Sequence, residues 1–265
     1  MTEINKLANK ANVLNEELSL AQDAETIKKY GDLLLTIPNS NEIPFNDNIK
    51  INDWFSEDPY LHEITIAINP LHTYLENANS YYNKYNKLKR AQESLKIQIE
   101  NTQNDLNYLK TIEVSLDNSD DLTELKEIKD ELVLGNYLKE QRKFKSNNKR
   151  STPLKVLSPD KTEILIGKNN FQNDYLTFKL SQPTDLWLHV KDIPGSHVII
   201  RNNKVLSDET LELAAQLAVH FSKAKNSTKV TVDYTLRKYV KKPNGSKPGF
   251  VVYTNEKALI IDPDI

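Results

Sequence analysis

The sequence predicts an α+β protein: a long antiparallel helical coiled-coil arm with a small β insertion, followed by a compact mixed α+β domain. Three observations carry that prediction. Apolar residues recur in steps of three and four over two long stretches of the N-terminal half, the a/d spacing of a coiled coil. Only 6 glycines occur in the chain, and none lies between Gly31 and Gly135, as extended helix prefers. The C-terminal half instead alternates short apolar runs with turn residues, which reads as strands.

The first helix spans about 2–35, with Ile4, Leu7, Ala11, Leu14, Leu18 and Ala21 on its seam. Beyond Ala21 the register drifts to Ile27, Tyr30 and Leu34, and the helix ends before Pro38. Residues 42–69 alternate differently. Ile49-Lys50-Ile51 and Ile64-Thr65-Ile66-Ala67-Ile68 predict a small β element. A second helix runs from about 73 to 116, with Ala78, Tyr81, Tyr85, Leu88, Gln92, Leu95, Ile99, Thr102, Leu106, Leu109, Glu113 and Leu116 on its seam. Gln92, Thr102 and Glu113 are polar seam positions that fix register at a cost in stability. A third helix, about 119–134, opens on Ser119-Asp120-Asp121 and ends at Gly135. A β element joins the two long helices, so they pair as an antiparallel hairpin, either a spacer or a partner-binding arm.

The arm region is placed at 1–138. A basic linker follows at 139–153, with Lys139, Arg142, Lys143, Lys145, Lys149 and Arg150 around Ser146-Asn147-Asn148. The domain at 154–265 carries strand candidates at 154–158, 162–167, 186–190, 197–201, 229–235, 249–253 and 258–262. Leu206 to Ser222 is a helix capped by Ser207 or Asp208, with Leu211, Ala214, Ala215, Ala218 and Val219 buried. Asn173-Asp174 caps a shorter helix reaching about 180.

The chain has 265 residues and a net charge of −2. Residues 1–150 hold 19 Lys/Arg against 25 Asp/Glu, and residues 151–265 hold 16 against 12, so the halves are −6 and +4. That asymmetry implies different partners for the two halves. With 0 cysteines, disulfides and thiolate chemistry are excluded. No signal peptide and no apolar membrane span is read, so a cytoplasmic location is expected.

Three features are candidates for chemistry. In Gly167-Lys168-Asn169-Asn170, a glycine after a strand precedes a lysine and two amides, suited to a phosphate or a splayed RNA base. The bland alternative is a turn with an Asn cap. Between 223 and 248 the chain has Lys223, Lys225, Lys229, Arg237, Lys238, Lys241, Lys242 and Lys247 against Asp233 alone, a net +7. Tyr234 and Tyr239 are interleaved, offering stacking surface beside phosphate-binding cations.

The third feature is Asp185-Leu186-Trp187-Leu188-His189-Val190-Lys191-Asp192-Ile193-Pro194-Gly195-Ser196-His197. Alternation puts Trp187 and His189 on one strand face and Leu186, Leu188 and Val190 on the other. Glycine after proline ends the strand by accepting positive φ. Lys191 stands beside the turn. Three readings of the pair His189 and His197 compete: metal ligands, with Asp185 or Asp192, general acid/base residues, or RNA contacts with Trp187. The structural alternative buries Trp187 and leaves the histidines at strand ends. Ser196 has no G-x-S-x-G elbow, so no hydrolase triad is read.

GKNNFQNDYLTFK (167–179), DLWLHVKDIPGSHVII (185–200), AAQLAVHFSKAKNSTKVTVDYT (214–235) and VKKPNGSKPGFVVY (240–253) together resemble the NFACT-R domain, in order over nearly all of 151–265. PLHTYLENANSYYNKYNKLKRA (70–91) is similar to the middle coiled coil of bacterial NFACT proteins of the RqcH type, also called fibronectin-binding protein A homologues. The resemblance implies a role in ribosome-associated quality control. Members bind the large ribosomal subunit and tRNA and extend stalled chains with a C-terminal alanine tail. The arm would reach the stalk base, and the C-terminal domain would hold RNA.

RNA contacts are expected at Lys168, Asn169, Asn170, Trp187, His189, Lys191, His197, Arg237, Lys238, Lys241, Lys242 and Lys247. No catalytic residue, metal or cofactor is expected, and the chain is expected to be monomeric. Met1 opens inside a heptad pattern, which reads as a piece cut at the coiled coil. The family's NFACT-N and helix-hairpin-helix domains are not recognised, so tRNA selection is assigned to no residue. The competing functions are a fibronectin-binding surface adhesin and a metal-dependent enzyme using His189 and His197.

Overall fold

Alternating strands and helices are set in a computed structural model that describes residues 2–56, 63–139, 150–201 and 206–262. The expected linker residues 140–149 lie outside them. The chain divides into two compact units, Met1–Leu106 and Asn107–Ile265. That division falls inside a helix, upstream of the boundary that composition places at 139–153.

In the first unit, α1 (Thr2–Ala21) and α2 (Ala24–Leu34) replace the single helix expected over 2–35. The break coincides with the register drift after Ala21. It leaves the Ala21 carbonyl without a helical partner, and the Gln92 side-chain amide donates to it. The polar seam residue Gln92 is therefore a C-cap for a neighbouring helix. Tyr82 donates to Asp32, and Ala78 packs with Leu33 and Leu34. Contacts thus run down one helix as they run up the other, so α2 and α3 (Tyr74–Asp117) are antiparallel.

α3 begins with a capping box. Thr73 N donates to Glu76 Oε2 (2.8 Å) and Glu76 N to Thr73 Oγ1 (3.1 Å). Those bonds hold the Glu76 carboxyl below its usual range. The β element is a two-stranded antiparallel ribbon of β1 (Asn48–Asn52) and β2 (Glu63–Ala67). Ile66 and Ile68 face Leu33 and Leu34.

The second unit contains the end of α3, then α4 (Leu122–Leu134), and the C-terminal domain. Asp121 caps α4, accepting from Thr123 N (2.6 Å) and Glu124 N (3.0 Å). The heptad seam stops organising α3 here. Tyr108, Leu109, Ile112, Val114 and Ser115 are all buried, whereas the seam residue Leu116 is 46% exposed. A helix covered on several sides has no single stripe.

The domain is built on a six-stranded antiparallel sheet in the order β10-β7-β5-β6-β4-β3. Its strands are β3 (Leu154–Leu157), β4 (Glu163–Ile166), β5 (Leu186–Val190), β6 (Val198–Ile200), β7 (Val230–Leu236) and β10 (Lys257–Ile261). The predicted strand at 249–253 is shorter, β9 (Val252–Tyr253), and pairs with an unpredicted β8 (Val240–Lys241).

Alternation sorts two cores onto the two faces. Ile164, Ile166, Leu188, Val190, Val198 and Ile200 meet Ala214, Ala215, Ala218 and Val219 of α6 (Asp208–His220). Leu165, Trp187 and Ile199 face the other way, against Leu176 and Val240, with Phe178, Val251 and Tyr253 at the margin. The second face is therefore a core as well. Ser207 caps α6. The short helix α5 (Asn170–Tyr175) is capped by Asn169 rather than Asn173-Asp174, and continues as one π turn over Leu176–Leu180. At the β5–β6 turn the positive φ of 54° belongs to Asp192. Gly195 is required instead because a Cβ there would lie 2.8 Å from Ser222 Cβ.

Candidate nucleic-acid interface

The Gly167–Asn170 turn faces inward. Lys168 Nζ pairs with Asp120 (2.8 Å) and Glu124 (2.7 Å), leaving its side chain 10% exposed. Burial alone would lower its pKa, but the two carboxylates outweigh that and hold the ammonium above its ordinary value. Asn169 Oδ1 accepts from Gln172 N (2.8 Å), while its Nδ2 donates to Glu127 (2.9 Å). Asn170 Nδ2 donates to Thr111 Oγ1 and Glu131 Oε1, each at 2.9 Å. A Cβ on Gly167 would run into the Asn173 side chain. The amides that suit a phosphate are thus spent on α3 and α4.

Trp187 is fully buried. His189 stacks on it with centroids 5.7 Å apart, and His197 meets it edge-on at 5.2 Å. Tyr253 closes the cluster at 4.8 Å from Trp187 and donates through its hydroxyl to Asp233 (2.8 Å). His197 shares a 2.8 Å hydrogen bond with Thr177 through Nδ1, and its backbone N–H donates to Asn173 (3.0 Å). Burial pushes both imidazoles below their ordinary pKa, His197 well below. His197, 2% exposed, is held in the interior, whereas His189 is only partly buried. Among the described residues no group of three or more His, Cys, Asp or Glu could hold a metal ion.

The basic tract divides. Arg237 Nε donates to the Thr177 carbonyl (2.6 Å), and its guanidinium lies over Phe178. Lys247 Nζ contacts the Tyr137 hydroxyl (2.9 Å) and lies 4.4 Å from the Tyr108 ring centroid. Both are partly buried in structural contacts. Lys191, Lys238, Lys241 and Lys242 are exposed, with Lys242 also paired to Asp174 and Lys191 3.7 Å from Asp233. Neither interleaved tyrosine is a bare platform: Tyr234 packs against the α6-side core, and Lys238 lies 4.9 Å from the Tyr239 centroid. Two exposed rings escaped the sequence reading, Tyr175 and Phe250. The latter was signalled by Lys247-Pro248-Gly249-Phe250, an aromatic directly after a turn.

This unit is also where sequence families meet. The model for the NFACT N-terminal and middle domains matches residues 1–151, and that for the NFACT protein RNA binding domain matches 152–254. The chain belongs to the NFACT family. The "Rqc2 homolog RqcH" of Streptococcus suis (strain 05ZYH33) is 39% identical over 267 residues, covering 99% of this chain and 46% of the relative. The protein of the same name from Bacillus subtilis (strain 168) is 39% identical over 269 residues, covering 100% and 46%. The chain therefore spans about half the length of these NFACT relatives. A solved structure, the C-terminal of the fibronectin/fibrinogen-binding protein from Streptococcus suis, superposes with a TM-score of 0.75 at 36% identity, covering 99% of this chain and 90% of that one. The α+β architecture and the NFACT assignment thus agree between sequence and structure.

Proposed function

We propose that this chain is a non-catalytic RNA- and ribosome-binding module of a ribosome quality control factor. The observation that carries the reading is the match of residues 152–254 to the NFACT RNA binding domain, on a domain whose Lys191, Lys238, Lys241 and Lys242 are exposed. The relatives named RqcH support ribosome quality control as the setting. In the whole protein, the family resemblance assigns binding of the obstructed large subunit and tRNA and alanine tailing of stalled chains, in the cytoplasm. The arm is read as partner-binding rather than a spacer. Loops beside β1 and β2 expose the large apolar side chains Phe45, Trp54, Phe55 and Leu71, which supports contact with a partner such as the stalk base. Among the described residues no helix is long and apolar enough to cross a membrane.

Co-sedimentation of the chain with purified large ribosomal subunits tests this reading. Binding at low salt that is lost at high salt is expected, and failure to pellet with subunits at low salt contradicts it. The likeness to a fibronectin/fibrinogen-binding protein supports a second reading, an adhesin. Saturable binding of the chain to immobilised fibronectin, together with surface labelling of unlysed cells, would favour it.

A further inference from the structure

Residues 240–253 fold as a ribbon whose inner and outer faces differ. Val240 is buried, Val251 and Tyr253 pack on the Trp187 core, and the alternate positions point outward. Those are Lys241, Val252 opposite it in register, and Phe250. Phe250 is 53% exposed and Val252 47%. Next to this face lies the end of α5. Gly249 N donates to Asp174 Oδ1 (3.2 Å), and Lys242 Nζ bonds the other oxygen of the same carboxylate. Tyr175, 45% exposed, follows Asp174 directly, just as Phe250 follows Gly249. Lys179, four residues on from Tyr175, is exposed while Leu176 and Thr177 between them are buried.

The ribbon is held in place by its own chemistry. Gly249 has φ +77°, and a Cβ there would strike the Asn170 side chain, so Phe250 is carried out of a tightly seated turn. Asp174, the acid at the junction, already has Lys242 as its counter-ion. Tyr175 and Phe250, both exposed, thus each follow directly in the chain one partner of the Asp174–Gly249 contact, and Lys242 is bonded to the same Asp174. A solvated charge face does not require exposed Phe and Tyr beside its lysines. Single strands bind where exposed aromatic faces for bases and cations for phosphates share one surface.

We infer that Tyr175 and Phe250 form a stacking platform for unpaired RNA bases, with Lys179, Lys241 and Lys242 along the phosphate path. This rests on the RNA-binding reading and narrows it to single-stranded segments, since bases within a duplex do not offer their faces.

The test uses the full chain and a short single-stranded RNA carrying 2-aminopurine, with a duplex of equal length for comparison. The platform predicts tighter binding of the single strand and quenching of the 2-aminopurine fluorescence on binding. Tyr175→Ala and Phe250→Ala should each weaken single-strand affinity by roughly 5- to 150-fold and remove quenching. Tyr175→Phe and Phe250→Tyr should retain both, and both pairs keep the wild-type circular dichroism if folding is intact. Wild-type affinity in the folded alanine variants overturns the platform while leaving RNA binding in place, and would point to a protein partner for these rings. Equal affinity for duplex and single strand overturns it too. Absence of RNA binding by the wild-type chain at low salt overturns both readings together.

Discussion

Glu131, 1% exposed, lies where Tyr108 of α3 and Asn170 of α5 converge on α4. Burial raises its pKa to about 7, the hydrogen bonds from Asn170 and Tyr108 pull the other way, and Asp174 and Lys242 act in opposite senses. Its other oxygen, Oε2, has no hydrogen-bond partner among the described residues. The folded chain thus binds this proton more tightly than the unfolded one. The group's contribution favours folding at low pH and is lost as pH rises from about 4.5 through about 7. The depressed imidazoles of His189 and His197 act oppositely, adding stability above the ordinary 6.5 that is lost as pH falls. Urea unfolding should therefore show Glu131→Gln gaining on the wild type at pH 8 by at most about 3 kcal/mol, with little gain at pH 5. An equal difference at both pH values would contradict the assignment. In an NMR titration the His197 ring should remain neutral below 6.5, and a midpoint at or above it would show the ring is not desolvated.

At the scale of elements, capping and close approach make the sharpest demands. Asp121→Ala removes both acceptor bonds at the start of α4 and should lower the midpoint of thermal or chemical unfolding, and an unchanged midpoint would contradict the cap. Gly167→Ala should cost more, because the new methyl would lie 2.9 Å from Asn173 N as well as against its side chain. A Gly167→Ala chain as stable as wild type would mean that α5 does not pack as described. Periodicity made α3 legible to within a residue, and alternation placed Trp187 and His189 together on one face of β5. It did not show what covers that face, because Leu176, Val240 and Val251 come from distant segments whose own patterns do not say which strand they pack on. At the Gly167–Asn170 turn, where an Asn cap and a phosphate site were both open readings, the partners were hidden for the same reason. Its partners Asp120, Glu124, Glu127 and Glu131 lie some forty residues upstream, and an amide bonded to a remote carboxylate reads like one open to phosphate. Two-residue β8 was too short to leave a pattern.

For the whole molecule, charge is segregated and only part of the positive half is surface. Lys168 is paired with carboxylates of the α3–α4 segment, and Lys223 with Glu113. Exposed lysines are spread over the domain, at Lys161, Lys225, Lys229 and Lys257 among others, and the attraction to a polyanion is assigned to Lys238, Lys241 and the Asp174-paired Lys242 at β8 and its approach. The most direct measurement is the affinity of the full chain for a single-stranded ribosomal RNA fragment across salt. The account predicts tight binding at low salt, with log K falling against log salt by roughly 0.7 per phosphate neutralised. The double variant Lys241→Glu, Lys242→Glu should bind more weakly and with a shallower slope. No binding at low salt, or an unchanged affinity and slope in the double variant, would contradict it.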